Sequence, residues 1–395
     1  MKKIALILVA ALVLFSSCEK EKIQYLQATV TIDLQEVPDG APSPDFYTVK
    51  VTNFETGYER VAKTVSGAAL VDSLIAGVYT ISVQETISKD GFTYMFSGTL
   101  NNVDINVDNG QYTLPVKMVE ESALVIKEVF YTGSEGYYFR DQFYEIYNNS
   151  DQVVYADGLS IGVAMSESIY TWNIENEDDY LFFQYVWNIP GDGDDYPIQP
   201  GESIVLAQYA ADHNADKMHA AKKSLDNSTA DFEFYIDKFS NKQVDCNAIN
   251  MMVSCNSSFY MYQYLNPVSG FPLAIFYPSA KIVDENFIFS LTPSTSSKAR
   301  EVLRSDIVDA VEFISDETKL EKKALPTDLD AGAIWCSGVY VHESVMRKVK
   351  EEKDGRKIYQ DTNNTTNDFE VSKAPEMRRN GAKRPSWSNW TTSGK

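Results

Sequence analysis

The stretch from Gln142 to Leu159, QFYEIYNNSDQVVYADGL, is the part of the sequence that decides the fold class. Its two ends are rich in β-branched and aromatic residues, which favour strands. Between them residues 148–151 read NNSD, and side chains of these types hydrogen-bond to their own backbone in tight turns. The stretch therefore predicts two strands joined by a hairpin turn.

Further short strands are predicted on both sides of this hairpin. Residues 28–34 and 47–51 alternate with the period of two that is typical of a strand, and strands at this spacing continue to residues 112–116. In LIAGVYTISV, residues 74–83, a turn at Gly77 precedes another strand. A second β region opens at residues 124–130, so we predict an all-β protein.

The first region carries a recognisable line of sequence. Residues 74–83 resemble the "L-P-x-G-x-Y-x-V-x-V" signature of carboxypeptidase-regulatory-like and related prealbumin-like β-sandwiches, with Ala76 in the place of a further turn residue. The resemblance implies that residues 24–118 form one prealbumin-like β-sandwich. A short polar joint, residues 119–122, follows it.

Three motifs of the second region, in order, resemble lamin-tail domains, which have an immunoglobulin-like fold. Residues 142–159 resemble the opening "E-F-V-E-I-Y-N-x-S-x-x-x-V-D-L-S-G-W", except at Leu159. Residues 198–207, IQPGESIVLA, resemble "I-P-P-G-x-Y-x-V-L-A", and residues 343–369 contain a close relative of "S-x-x-R … D-T-x-N-N-x-x-D-F". The resemblance implies a second sandwich at 123–372. Because a lamin tail is shorter than this, we expect a large mixed insertion at about 208–302.

The N-terminus is typical of an export signal. Lys2 and Lys3 precede an apolar run over residues 4–15, which is too short to span a bilayer. Residues 15–18, FSSC, resemble the lipobox of bacterial lipoproteins, which implies cleavage of residues 1–17 and lipid attachment at Cys18. An ordinary secreted protein with an incidental cysteine is the alternative.

The residues after Cys18 point to the same compartment. Residues 18–23 form a charged tether whose EKEK run resembles the surface-export signal of Bacteroidota lipoproteins; a solvated linker is the alternative. The whole plan resembles an uncharacterised Bacteroidota lipoprotein family. We therefore expect a lipid-anchored outer-membrane protein at the cell surface.

Composition excludes several classes of protein. The chain has 395 residues, of which 44% are hydrophobic and 23% are charged, so it contains enough apolar surface to fold. Its formal net charge of -21 repels phosphate backbones, and we expect no nucleic-acid partner. The last segment, residues 373–395, is basic instead, and we expect a flexible tail, with lipid head groups or a partner protein as alternative contacts.

The cysteines give little chemistry. Cys246 and Cys255 lie nine positions apart, and an exported protein can form a disulfide between them, although the sequence does not decide this. No CxxC motif and no Cys/His pair at zinc-site spacing is present. The chain contains three histidines, and no nucleophile elbow, HExxH, P-loop or dinucleotide fingerprint is present. We expect no enzyme activity.

Two acidic segments are candidate metal sites. Residues 190–196, PGDGDDY, place Asp192, Asp194 and Asp195 on a glycine-rich loop that suits calcium, although ordinary turns have the same composition. No other cofactor is expected. As an alternative metal site, a helix over residues 209–221 would place three side chains on one face: Asp212, Asp216 and His219.

Aromatic residues crowd the segment from residue 170 to residue 196, interleaved with carboxylates. Rings beside acids suit the flat faces of sugars or peptides, while the alternative for each ring is burial in the core. The candidates for ligand contact are Trp172, Tyr180, Tyr185 and Trp187.

The function that we expect is non-catalytic binding or adhesion, with a surface ligand or an outer-membrane receptor as partner. The first alternative is an accessory lipoprotein of a TonB-dependent uptake system, a role in which Bacteroidota lipoproteins often serve. The second is a metal-assisted extracellular hydrolase that uses Asp212, Asp216 and His219, since lamin-tail domains sometimes accompany extracellular nucleases.

Overall fold

The fold is taken from a computed structural model of the chain. It describes residues 24–35, 37, 41–53, 56–89, 92–120, 122–165, 179–215, 224–237, 240, 243–256, 266–279, 287–289 and 298–390. The protein is all-β with several sheets, which confirms the predicted fold class. Its contacts divide it into two compact units, Met1–Glu120 and Glu121–Lys395. Cys18 lies outside the described residues. Within them, no helix combines the length and apolar character needed to cross a membrane.

The first unit contains one seven-stranded sheet in the order β3-β2-β5-β6-β7-β1-β4. Strands β1 and β7 pair in parallel, and the other neighbours are antiparallel. Strands β3 and β4 lie at opposite edges of this sheet, yet only residues 64–67 connect them. The two edges must therefore lie close together, so the sheet curves around a single core. Its strands are β1 (Leu26–Gln35), β2 (Thr48–Asn53), β3 (Glu59–Lys63), β4 (Ala68–Leu74), β5 (Gly77–Lys89), β6 (Phe92–Ile105) and β7 (Gly110–Glu120).

Strict alternation builds this core. In β1, Leu26, Ala28 and Val30 are buried while Gln27 and Thr31 are exposed, as the period of two predicts. Tyr79 and Ile81 of β5 are buried beside them. Tyr79 also donates its hydroxyl proton to the carbonyl of Ile75 at 2.7 Å, which fixes the turn at Gly77.

The second unit is a sandwich of two seven-stranded sheets. We name the two sheets B and E. The strands of sheet B are β8 (Leu124–Phe130), β9 (Phe143–Asn148), β14 (Ser203–Ala207), β15 (Phe232–Glu233), β16 (Ile249–Asn250), β22 (Ser344–Arg347) and β25 (Phe369–Ser372). Those of sheet E are β11 (Ser160–Ala164), β12 (Tyr180–Asn188), β17 (Met252–Asn256), β18 (Pro272–Phe276), β19 (Phe287–Phe289), β20 (Lys298–Leu303) and β21 (Ile307–Glu312). Sheet B has the order β16-β15-β14-β9-β8-β22-β25, and sheet E has the order β19-β20-β12-β11-β18-β21 with β17 paired to β12.

Smaller elements complete the second unit. Two ribbons pair β10 (Val154–Tyr155) with β13 (Pro197–Ile198) and β23 (Val349–Lys353) with β24 (Arg356–Tyr359). A single helical turn, α1 (Thr365–Asp368), begins at the side-chain cap of Asn364. Short 3-10 turns occupy Arg304–Asp306, Glu317–Lys322 and Arg379–Gly381.

The main core lies between sheets B and E. Ile146 of β9 and Leu206 of β14 come from sheet B, while Ile161 of β11 and Ile275 of β18 come from sheet E. Every residue of β8, β9 and β14 is buried, so sheet B is covered on its outer face as well. Burial on both faces also encloses the charged residues of these strands, which are Lys127, Glu128 and Glu145.

The segment at about 208–302, predicted as a mixed insertion, contributes strands to both sheets of the sandwich. Its described residues supply β15 and β16 to sheet B, and β17 to β20 to sheet E. Phe232 of β15 and Leu273 of β18 are buried in the main core. The segment lacks lamin-tail motifs, but it carries apolar residues at alternate positions that complete both sheets.

The prediction of a flexible tail is wrong for residues 373–390, which cover the outer face of sheet B. Met377 and Trp390 pack against the cluster formed by Phe143, Val205 and neighbouring side chains. Lys383 pairs with strand β14 through its backbone, accepting a hydrogen bond from Ser203 N–H at 2.9 Å. The tail is ordered because it covers apolar surface and neutralises buried carboxylates, whereas the sequence alone suggested solvated charges.

Candidate functional site

The predicted aromatic site is only partly described. Tyr170 and Trp172 lie outside the described residues. Tyr180 and Tyr185 are half-buried against apolar clusters. Trp187 has 1% of its surface exposed and packs edge-to-face on Phe234, with 5.2 Å between ring centroids. The prediction is wrong for Trp187, because a ring enclosed in the core cannot stack on an external ligand.

The predicted calcium loop is organised as a turn around another residue. The side chain of Asp157 accepts three backbone N–H groups at 2.9–3.1 Å, from Gly193, Asp195 and Tyr196. Asp192, Asp194 and Asp195 are exposed, and Asp195 accepts the N–H of Asp192 at 2.9 Å. In the described part of the chain no three His, Cys, Asp or Glu side chains are arranged to hold a metal ion. The geometry therefore favours the turn interpretation.

The alternative metal site depends on a helix that is not present over its described part. Residues 209–215 form a bridge and turns, with the Asp212 carboxylate accepting the N–H of Asn214 at 3.0 Å. Asp216 and His219 lie outside the described residues. Cys246 is buried, and the side chain of Cys255 is also outside them, so their disulfide stays a prediction.

A different pair of loops carries the most unusual backbone of the second unit. Tyr137, Tyr340 and His342 have positive φ values of 63°, 58° and 57°. Bulky side chains rarely adopt this left-handed region, and each such residue costs of order 1–3 kcal/mol. Most other residues of this kind in the described chain are Asn, Asp or Ser, which tolerate the conformation in turns.

Backbone hydrogen bonds hold the two loops together. Tyr340 N–H donates to the carbonyl of Thr132 at 2.7 Å, and His342 N–H donates to that of Gly133 at 3.1 Å. Gly133 has a φ of 75°, and a Cβ at this position would meet the carbonyl oxygen of Tyr138 at 2.4 Å and the ring of Tyr340 at 3.1 Å. Only glycine permits this approach.

The loops present an aromatic pair to solvent. Tyr137 has 81% of its surface exposed. Its ring lies edge-to-face on the half-buried Tyr340, with centroids 5.1 Å apart and planes at 71°. Phe139, Val339 and Val341 are also exposed beside them in the chain. Because the two ring planes meet at a steep angle, they form a corner in which an apolar group can contact both rings.

A polar cluster lies next to these loops. Ser134 Oγ is 2.5 Å from Asp141 Oδ2 and 3.1 Å from Nδ1 of His342. Burial raises the pKa of Asp141 to about 6. The three residue types are those of a catalytic triad, but a triad requires the imidazole between the serine and the carboxylate. Here the serine lies between them and is fully buried, so the cluster positions the loops.

A cleft of about 450 Å³ opens between the tail and sheet B. The ring of Phe130 packs against His342 on one side, with centroids 5.6 Å apart, and against Phe143 on the other, at 6.1 Å. Phe143 lines the cleft together with tail residues, among them Arg378 and Arg384. The aromatic loops and the cleft are therefore joined by one chain of ring contacts.

Sequence reasoning missed both features. Tyr137 follows Gly136 in residues 132–138, TGSEGYY, and this glycine-flanked turn with two adjacent tyrosines was a usable signal. Tyr340 lies 203 positions later, and only the fold brings it to Tyr137. The basic composition of residues 373–395 predicts a flexible tail and gives no signal of a cleft.

Comparison with known proteins places the chain in a family. Residues 199–376 match the family described as "Protein of unknown function (DUF4876)". A crystal structure of a DUF4876 family protein from Bacteroides thetaiotaomicron VPI-5482 is 30% identical, with a TM-score of 0.64, and the match covers 92% of this chain and 99% of that chain. The chain belongs to the DUF4876 family. No curated protein matches it.

The match extends over nearly the whole DUF4876 protein of known structure and includes both units of this chain. An uncharacterised family with a Bacteroides member fits the family that the sequence suggested. These comparisons do not confirm the resemblance to lamin-tail domains or to prealbumin-like sandwiches.

Proposed function

We propose that this DUF4876 protein is a lipid-anchored, non-catalytic binding module of the bacterial cell envelope, which contacts its ligand through the loops at Tyr137 and Tyr340. The observation that carries the proposal is the exposed edge-to-face tyrosine pair on a strained backbone. Strain persists only where the surrounding structure enforces it, and such positions cluster at functional sites.

The chemistry of the pair favours a ligand with flat apolar faces. Tyrosine combines a large ring with a hydroxyl group that can donate or accept a hydrogen bond, and it loses little conformational entropy when it is ordered. A hexose ring or a peptide aromatic side chain fits a corner of this kind, because its flat face stacks while its polar edge contacts water. Hydrogen bonds from Tyr340 and His342 to the neighbouring loop preorganise the corner.

The binding experiment is a glycan array and an array of short peptides, probed with the soluble protein that begins after Cys18. We expect Tyr137→Ala and Tyr340→Ala each to lower affinity for the selected ligand by roughly tenfold or more, the effect of about 1.4 kcal/mol of lost contact. Tyr155→Ala is the matched control, since Tyr155 is 43% exposed on the same unit. Equal affinity of all three variants would refute the assignment of the site.

The lipid anchor is tested separately in cells. The support is the FSSC sequence with the EKEK run after it. We expect wild-type protein in the outer membrane and a Cys18→Ala variant released from it. Crosslinking on intact cells then distinguishes roles: anchor-dependent recovery of one outer-membrane receptor would indicate an uptake accessory instead of a free binding module.

A further inference from the structure

The cleft between the tail and sheet B has an unusual lining. One side is apolar, while two guanidinium groups reach it from the tail; the lining residues are Phe143, Leu225, Asp226, Thr229, Pro375, Met377, Arg378 and Arg384. Arginine is not needed to fill such a space, because its charge is costly to remove from water. The two arginines therefore require charged partners.

One carboxylate serves both arginines. Arg378 Nη2 donates to Asp231 Oδ2 at 2.6 Å, and Arg384 Nε lies 3.5 Å from Asp231 Oδ1. Asp231 is fully buried beneath them and also accepts the N–H of Val205 at 2.6 Å. The acid fixes the positions of the two guanidinium groups, while the carboxylate among the lining residues, Asp226, is exposed to solvent.

Each arginine also keeps one N–H group without an acceptor. Among the described residues, neither Arg378 Nε nor Arg384 Nη2 has a hydrogen-bond partner, and both atoms are buried. A buried donor without an acceptor costs about 1–3 kcal/mol. The backbone of Arg378 is itself in the left-handed region, at φ 59°, which is the fourth bulky residue of this kind in the described chain.

Arg384 lies where burial disfavours its charge. Burial lowers the pKa of Arg384, and the charge of Arg378 nearby lowers it further, against the opposing effect of Asp231. The other guanidinium nitrogens are occupied: Arg384 Nη1 donates to the carbonyl of Trp390 at 2.5 Å, and Arg378 Nη1 to that of Thr229 at 3.4 Å.

We propose that this cleft binds a carboxylate that carries an apolar group, with the carboxylate at Arg378 and Arg384 and the apolar group against Phe143, Leu225 and Met377. Guanidinium groups bind carboxylates through paired, charge-assisted hydrogen bonds. A free aromatic acid and the C-terminus of a peptide share this chemistry.

The probes are N-acetylphenylalanine and a pentapeptide that ends in phenylalanine, each as its free acid and as its C-terminal amide. Binding to the whole soluble protein is measured by calorimetry and by tryptophan fluorescence, because the indole of Trp390 stacks 5.1 Å from the guanidinium of Arg384. We expect saturable binding of the acids and no binding of the amides. If the peptide acid binds and the small acid does not, the source is a peptide C-terminus; the reverse indicates a free acid.

Two variants change affinity in opposite directions. Arg384→Gln should weaken binding of the acid by about tenfold or more, the typical effect of losing a charge-assisted hydrogen bond. Asp226→Asn should tighten it several-fold, since Asp226 is an exposed carboxylate at the cleft that repels an anion. Asparagine retains the oxygen that accepts the N–H of Ser228 at 2.9 Å. A gain in affinity cannot result from misfolding.

Several outcomes would overturn the proposal. The first is equal binding of acid and amide, and the second is unchanged affinity in Asp226→Asn. The third is no saturable binding of either acid up to ~10 mM, which would mean that the binding free energy is smaller than about 3 kcal/mol in magnitude. Tighter binding of inorganic phosphate than of either acid would also overturn it. The aromatic-loop variant Tyr137→Ala is expected to leave acid binding unchanged, so failure here is distinct from failure of the proposed function.

Discussion

Replacing Arg379 by methionine is the sharpest test of how the tail is attached to sheet B. The guanidinium group of Arg379 contacts both oxygens of the Glu128 carboxylate, with Nε to Oε2 at 3.0 Å and Nη2 to Oε1 at 3.3 Å. Glu128 has 0% of its surface exposed, and the Arg379 side chain is 18% exposed. Methionine keeps much of the apolar length and removes the charge.

The expected cost follows from what Glu128 would retain. After the substitution its carboxylate keeps the hydroxyl of Ser344 at 2.7 Å and the N–H of Glu376 at 3.0 Å, but no cation. Breaking a fully buried ion pair by removing one partner costs about 3–5 kcal/mol. Because Arg379 retains some contact with water, we expect a loss of about 2–4 kcal/mol in the free energy of unfolding.

Urea unfolding at neutral pH measures this loss, with Lys373→Met as the matched control. Lys373 is an exposed tail cation, so its replacement should change stability by less than about 0.5 kcal/mol. Adding Glu128→Gln to Arg379→Met should recover part of the loss, since the uncompensated buried charge is then gone. An effect of Arg379→Met no larger than that of Lys373→Met would refute the conclusion that the tail is clamped by charge.

Three further predictions concern stability. Arg347→Met should cost about 3–5 kcal/mol in urea unfolding, because Arg347 is buried among three aspartates, and Arg347→Lys should restore only part of it. Burial raises the pKa of Glu233 to about 7 and that of Asp141 to about 6, so the native state keeps protons that the unfolded chain releases near pH 4. Stability should therefore fall between about pH 4 and pH 7, by up to about 3 kcal/mol for each group, and a rise over this range in urea titrations would contradict the assignment. Gly133→Ala should lower the melting temperature by several degrees, because the added Cβ clashes with the carbonyl of Tyr138. Gly136→Ala is the control: its Cβ meets no atom within 4 Å, so it carries the backbone strain without the clash.

The strands that could be predicted are those whose neighbours in sequence define them. Residues 28–34 alternate because one face of β1 is buried, and the pattern is visible without knowledge of the partner strand. In contrast, β15 and β16 have two residues each and pair in parallel with distant segments. Strands of two residues are too short to show a periodic pattern, so the sequence does not predict these two.

The cleft between the tail and sheet B could not be predicted, because the charges around it are paired over long separations. Glu145 occupies an alternate position of β9, where a carboxylate is normally exposed to solvent. In the fold it is fully buried, contacts Lys127 Nζ at 2.9 Å and accepts the N–H of Arg378 at 3.0 Å. Arg378 lies 233 positions away in a segment whose composition alone is typical of a solvated terminus. The acids and the basic tail were visible separately, but only the fold reveals that each requires the other.

The ring contacts between the aromatic loops and the cleft lead to a prediction about coupling. His342, Phe130 and Phe143 form a continuous path between the two features, with centroids 5.6 and 6.1 Å apart. Packed rings transmit a displacement only if they have two discrete arrangements, and these three are held by a buried cluster and by strained backbone. We therefore expect the two features to act independently. The affinity for the acid should be the same with and without the loop ligand. In the variant that combines Tyr340→Ala with Arg384→Gln, the change in the binding free energy of the acid should equal the sum of the changes in the two single variants within about 0.5 kcal/mol. A larger deviation in this double-variant cycle, measured by calorimetry, would mean that one ligand spans both features or that the path is flexible.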